Sequence, residues 1–222
     1  MLRRSEGGPL PLPLRNRLAD LILEAFQLGT ARATLLALAR VLAADGGSVD
    51  TADADRLLAL GWFEPVAGGR IRLLGAYRAH GPALADRSGR AASAVREWRD
   101  PGGETTWSLL GRAASLANHG LFFETHELLE PAWFKAAEPA RTALQGLIQV
   151  AVAFHHLESG NRAGARSLLD LGVSKVAAAG AALPLKTGEW LDELRATLAT
   201  LAAGGAPPQI PRWPVPAPAV RP

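Results

Sequence analysis

The sequence predicts a mainly helical, all-α protein in which a C-terminal bundle of helical hairpins follows a small winged-helix-like domain with one β-hairpin. Three features predict it. Apolar residues recur at helical spacing through most of the chain. One pair of short extended runs, Trp62-Phe63-Glu64-Pro65-Val66 and Arg70-Ile71-Arg72-Leu73-Leu74, is joined by Ala67-Gly68-Gly69 and reads as a hairpin. Gly120 and Gly160 sit between helical segments, where a chain leaves a helix through the left-handed region.

In chain order, residues 1–13 are rich in Arg, Gly and Pro and are expected to form a disordered tail, because such a stretch cannot bury enough apolar area to offset its ordering entropy. The winged-helix-like domain is expected over 14–80, with helices at about 15–28, 31–44 and 51–60 ahead of the hairpin. In DNA-reading proteins of that outline the third helix presents basic and polar side chains to the major groove. Here it begins Asp50-Thr51-Ala52-Asp53-Ala54-Asp55, which would set carboxylates against phosphates. Nucleic acid is therefore not expected as a partner. Arg70 and Arg72 on the hairpin keep a DNA-binding regulator as an alternative, and a packing or dimerisation domain is the plainer role.

A polar stretch over 81–103 reads as a linker. The helical domain is expected over 104–203, with helices at about 105–117, 121–135, 140–158, 162–178 and 188–202. Pro139 suits a first helical turn, and Asn161 and Thr187 suit N-caps. Residues 204–222 hold seven of the 16 prolines and read as a second disordered tail, in which Ile210-Pro211-Arg212-Trp213-Pro214 is the one docking candidate. A shift of 40 residues superimposes Gly120, Thr125, Leu128, Leu129 and Glu130 on Gly160, Ala165, Leu168, Leu169 and Asp170, the mark of a duplicated helical hairpin. His126 and Glu127 become Arg166 and Ser167, so their chemistry is not demanded by the hairpin.

Composition narrows the function classes. A chain of 222 residues can bury two small cores, and no run approaches the roughly 20 apolar residues of a membrane helix. Met1-Leu2-Arg3-Arg4 looks like the start of a signal peptide, but Ser5, Glu6, Gly7 and Gly8 follow where an apolar stretch should begin, so the expected location is cytoplasmic. The absence of cysteine excludes disulfides and thiolate chemistry and leaves His, Asp and Glu as the ligands of any metal. The formal charge of +3 is a weak argument for a polyanionic partner. No Ser-His-Asp spacing, phosphate-cradling glycine loop or dinucleotide fingerprint is present.

Chemistry concentrates on two successive helices. At ~100° per residue, Phe122, Leu129 and Trp133 define an apolar stripe on the 121–135 helix, with Phe123 at its edge. His126 and Glu130 fall inside that stripe, four residues apart, where a carboxylate can hold an imidazole or both can ligate one ion. Glu127 projects nearer the rim, and Glu124 further round toward water. The next helix is apolar nearly all round except for Arg141, Gln145, Gln149 and His156, which share one edge. His155 points about 100° from His156 and is expected to pack elsewhere. His119, at a helix end, and Gly160 read as structural. Two helices that each embed polar groups in an apolar face are expected to bring them together, since an unpaired buried polar group costs roughly 1–3 kcal/mol.

The strings His126-Glu127-Leu128-Leu129-Glu130, Leu144-Gln145-Gly146-Leu147-Ile148-Gln149 and His156-Leu157-Glu158-Ser159-Gly160-Asn161 resemble the bacterial domain-of-unknown-function family numbered three hundred and nine. The resemblance runs from about 105 to 176. It departs from the family pattern by one extra residue between Gly120 and Glu124, and Thr125 stands where a small residue is usual. It implies an all-helical fold and a bacterial cytoplasmic setting, and nominates Glu124, Glu127, Trp133, Gln145, Gln149 and Asn161 beside His126, Glu130 and His156. It implies no activity.

Several readings of this cluster stay open. A register-fixing core network is one, which would leave a non-catalytic helical-repeat-like interaction module, as a homo-oligomer or with another partner. A small-molecule site is another, with His126, Glu130 and His156 as candidate catalytic groups. A divalent metal on His126, Glu130 and His156 is a third, although a zincin would need histidine where Glu130 stands, and a dinuclear carboxylate site would need Glu-x-x-His motifs that the second half lacks. The site reading requires these groups to border a cleft that solvent can reach.

Overall fold

The computed structural model describes residues 10–44, 51–99, 105–205 and 209–216, in two compact units, one ending at Trp98 and the other beginning at Arg99. The expected N-terminal tail up to residue 9, Asp50, the linker over 100–103 and residues 217–222 of the expected C-terminal tail lie outside the described residues.

The first unit contains α1 (Leu12–Glu24), α2 (Gly29–Ala43), α3 (Thr51–Ala59), the antiparallel pair β1 (Phe63–Val66) and β2 (Arg70–Leu73), a 3-10 turn over Gly75–His80, and α4 (Gly81–Glu97). Three helices and a hairpin appear in the expected order. Phe63 opposes Leu73 and Val66 opposes Arg70, and the turn passes through positive φ at Gly68 and Gly69, a region that glycine enters without a Cβ clash. The helix α1 starts inside the expected tail because Leu14, Leu18 and Ile22 follow a helical stripe, and Pro at a first turn lacks only an N–H that would be unbonded anyway.

The expected linker is the largest departure. Most of it is α4, whose Leu84, Ala91, Ala92, Ala94 and Val95 are buried and which packs on α2 and α1, the helices that carry the buried Leu35, Leu38 and Leu18. Its small apolar residues lie among Arg, Asp and Ser in a sequence that reads as polar when averaged, but they recur on one face. On α3, Asp53 is turned inward and held by Arg40 and by Arg56 at 3.1 Å. One of the carboxylates expected to repel DNA is thus a packing element, while Asp55 remains exposed.

The second unit is built from α5 (Thr106–Asn118), α6 (Phe122–Lys135), α7 (Ala140–Glu158), α8 (Arg162–Ala179) and α9 (Gly188–Ala202). Thr105 and Ser108 form a reciprocal capping box at the start of α5. The turns α5–α6 and α7–α8 are the same structure. In each, a glycine at positive φ (Gly120, +70°; Gly160, +78°) donates to the carbonyl three residues back, and the next N–H reaches five residues back, Leu121 to Leu116 and Asn161 to His156. This is the Schellman termination that the 40-residue repeat foreshadows.

The helices α7 and α8 pack closely at two glycines. A Cβ on Gly146 would meet Val176 Cγ2 at 2.8 Å and the Val176 backbone nitrogen at 2.9 Å, and one on Gly172 would meet Val150 Cγ2 at 2.8 Å. The glycine of the Gln-Gly-Leu-Ile-Gln string therefore serves helix packing. Thr187 stands at the N-cap of α9 but its side chain makes no cap hydrogen bond, whereas Asn161 Oδ1 accepts from the Gly164 N–H at 3.0 Å as expected.

Residues 209–216 correct the expectation of a disordered tail. Trp213 is 4% exposed and its ring lies 5.2 Å from that of Trp190 on α9. Asn118 on α5 clamps its main chain, donating to the Trp213 carbonyl at 3.2 Å and accepting from its N–H at 2.8 Å. Burying one indole offsets the ordering of a short extended segment, which a composition average cannot register. Arg162 donates to the carbonyls of Gly204, at 3.0 Å, and Gly205, which tethers the end of α9 to the start of α8.

Candidate functional site

The helix α6 carries the densest group of functional side chains. It packs against both α5 and α7, so two of its faces are covered rather than one. Leu129, Phe122 and Thr125 are fully buried. His126 is a quarter exposed, with Nδ1 3.3 Å from Glu127 Oε1 and Nε2 3.8 Å from Glu130 Oε1. An imidazole flanked by two carboxylates, one near each nitrogen, is held in its orientation. Pro131 follows within the helix and has no N–H for the Glu127 carbonyl, so the backbone ladder is interrupted beside these groups.

Glu124 departs from expectation. It is fully buried, not turned toward water, because the α5 contact covers the side of α6 that a single-stripe reading assigns to solvent. Arg112 on α5 is also buried, at 3% exposure, so the α5–α6 pair encloses charges of both signs. Buried charge is tolerated only where it is compensated, and this makes Glu124 part of the interior and not a group that faces a ligand. The sequence reading did not single out Arg112.

On α7, Gly146 faces α8, and Gln149 and His156 are half-buried. His156 Nδ1 is 3.1 Å from the Asn161 amide nitrogen, at the helix end. Among the described residues neither Gln149 nor His156 hydrogen-bonds to His126 or Glu130.

It is His155 that approaches α6. Phe123, 9% exposed, has the His126 ring at 6.3 Å and the His155 ring at 5.9 Å, so one phenyl ring bridges the imidazoles of two helices. His155 Nδ1 lies 4.0 Å from Glu158 Oε2. The signal for this was available in the sequence, since His155 falls four residues after Ala151 and 11 after Leu144, both buried, and those offsets share a face.

Three buried polar atoms on this helix pair have no hydrogen-bond partner: Trp133 Nε1, Gln149 Oε1 and His155 Nδ1. Trp133 is half-buried, with the Arg141 guanidinium 5.5 Å from its ring centroid. Gln145 is half-buried, and Asn161 acts as the cap of α8. Among the described residues no three of His, Cys, Asp and Glu converge closely enough to hold a metal ion, so the set His126, Glu130 and His156 is not assembled. Two cavities of about 480 and 450 Å³ are lined by other residues, one in each unit.

The second unit is thus an all-helical domain with a His/Glu cluster set on one helix of a duplicated hairpin pair. Residues 110–168 match the family model described as Domain of unknown function (DUF309), a span that holds α6, α7 and every group of the cluster. No curated protein and no solved structure matches the chain. Among the described residues no helix is long and apolar enough to cross a membrane.

Proposed function

We propose that the α6–α7 face of the second unit binds a small organic molecule, with Phe123 as its apolar contact and His126 as its acid–base group. Glu127 and Glu130 orient His126, and His155 faces it across Phe123 as the second hydrogen-bonding group, in the role that the sequence reading gave to His156. Glu124, His156 and Asn161 hold the scaffold. The observation that carries the reading is the His155 ring: it lies beside Phe123 with a buried Nδ1 that has no hydrogen-bond partner. An orphaned buried polar atom costs about 1–3 kcal/mol, and a ligand that completes its bonding recovers that cost.

The test is a screen of small polar molecules against full-length protein carrying 13C-labelled histidine. A ligand of this site shifts the His126 and His155 resonances together, leaves those of His80 and His119 unmoved, and loses affinity at least tenfold in Phe123→Ala. Ligands that shift neither ring, or that bind Phe123→Ala as well as the wild type, would refute the reading.

A further inference from the structure

The first unit contains a cavity that the His/Glu cluster does not involve. It holds about 480 Å³, and its apolar wall is formed by Val41, Phe63, Leu73, Pro82 and Ala85 from α2, the hairpin and the first turns of α4. That volume lies in the range of small-molecule sites, roughly 300–1,000 Å³. Two guanidiniums, Arg72 from β2 and Arg78 from the 3-10 turn, complete the lining.

Their partners leave charge and donors in excess. Both arginines turn to one carboxylate oxygen, Glu64 Oε1, with Arg72 Nε at 2.7 Å and Arg78 Nη2 at 3.7 Å. Arg78 Nε donates weakly to the Leu73 carbonyl at 3.4 Å. Two positive groups thus share one negative group, and the terminal nitrogens of Arg72 have no hydrogen-bond partner among the described residues. A guanidinium with free terminal N–H groups is matched to a planar oxyanion, which it holds through two parallel bonds. The apolar wall meanwhile gives no partner to a second charge.

From this combination we propose that the first unit binds a small monocarboxylate with an apolar body, the carboxylate on Arg72 and Arg78 and the hydrocarbon against Val41, Phe63 and Ala85.

Isothermal titration of the full chain with octanoate and with octan-1-ol tests the proposal. Octanoate is expected to saturate one site per chain, and octan-1-ol, which has the same chain length without the charge, to bind at least tenfold more weakly. Arg72→Gln/Arg78→Gln is expected to lower octanoate affinity at least tenfold and leave octan-1-ol unchanged. Both side chains are more than half exposed, so folding is not at stake in that variant. Ala85→Phe, which fills the cavity, is expected to abolish binding of both probes. No saturable octanoate binding, equal affinity for the two probes, or wild-type binding in Ala85→Phe would overturn it.

Discussion

Replacing Gly146 by alanine adds one methyl group where two helices pack closely. The new Cβ would lie 2.8 Å from Val176 Cγ2, 2.9 Å from the Val176 backbone nitrogen and 3.0 Å from Lys175 Cβ. A side-chain methyl could rotate away, but a backbone nitrogen moves only with its helix. Bringing that contact to an ordinary distance requires α8 to retreat by roughly 0.5 Å, and a gap of that size forfeits about a quarter of the dispersion energy of the contacts it opens. Overpacking of this kind costs about 1–3 kcal/mol. Against it stands the helix propensity of alanine, worth about 1 kcal/mol over glycine. Because the obstructing atom is backbone, the upper part of that range, about 2–3 kcal/mol, applies, and the net expectation is a loss of roughly 1–2 kcal/mol, or about 4–16 °C in the melting temperature of a domain of this size. Far-UV circular dichroism of the full chain, with hydrogen exchange on α7 and α8 amides to assign the transition, gives the readout. Gly89→Ala in α4 is the control, because its Cβ would meet nothing within 4 Å and only the propensity gain of up to about 1 kcal/mol should remain. If Gly146→Ala melts at or above the wild-type temperature, the close-packing argument for the motif glycine is wrong.

Asn161→Ala removes the acceptor of the Gly164 N–H and the neighbour of His156, and is expected to cost about 1 kcal/mol, read as a lower melting temperature; an unchanged value would deny the cap its role. Asn118→Ala breaks both bonds to the Trp213 main chain, so the Trp213 amide should exchange faster while those of α7 keep their protection; unchanged protection of Trp213 would show that the indole alone holds the segment. Elemental analysis of protein purified without a metal-affinity tag is expected to find no stoichiometric zinc, iron or manganese on the cluster, and a stoichiometric metal lost in His126→Ala would reverse that expectation.

The helices of the second unit were legible because their boundaries are written in punctuation, glycines at positive φ and a capping asparagine, and these act locally. Legibility failed where a residue's environment is set by a neighbour remote in sequence. A periodicity argument assumes one covered face, and α6 has two, which is why Glu124 was misjudged. The polar edge of α7 reaches α6 at Arg141, over Trp133, but nothing local says that His155, off that edge, meets Phe123 of the same helix. Small residues hid α4 for a related reason, since alanine adds little to an average yet packs as well as leucine when helices lie close. Trp213 shows the opposite error, in which a proline-rich composition outweighed one large apolar side chain.

The repeat itself supports the proposed binding role of the cluster. Positions related by the 40-residue shift have matching environments where they serve packing: Thr125 and Ala165 are both buried, as are Leu129 and Leu169, while Leu128 and Leu168 are both half-buried. At the positions of His126 and Glu127 the second hairpin has Arg166 and Ser167, both exposed. The same backbone therefore forms, turns on the same kind of glycine and packs through the same leucines with or without an imidazole between two carboxylates. A register-fixing network that the hairpin backbone itself required would recur in both copies. Its presence in one only, next to a phenyl ring that carries a second imidazole with an unfilled hydrogen-bonding position, favours a ligand over a structural role for His126 and His155.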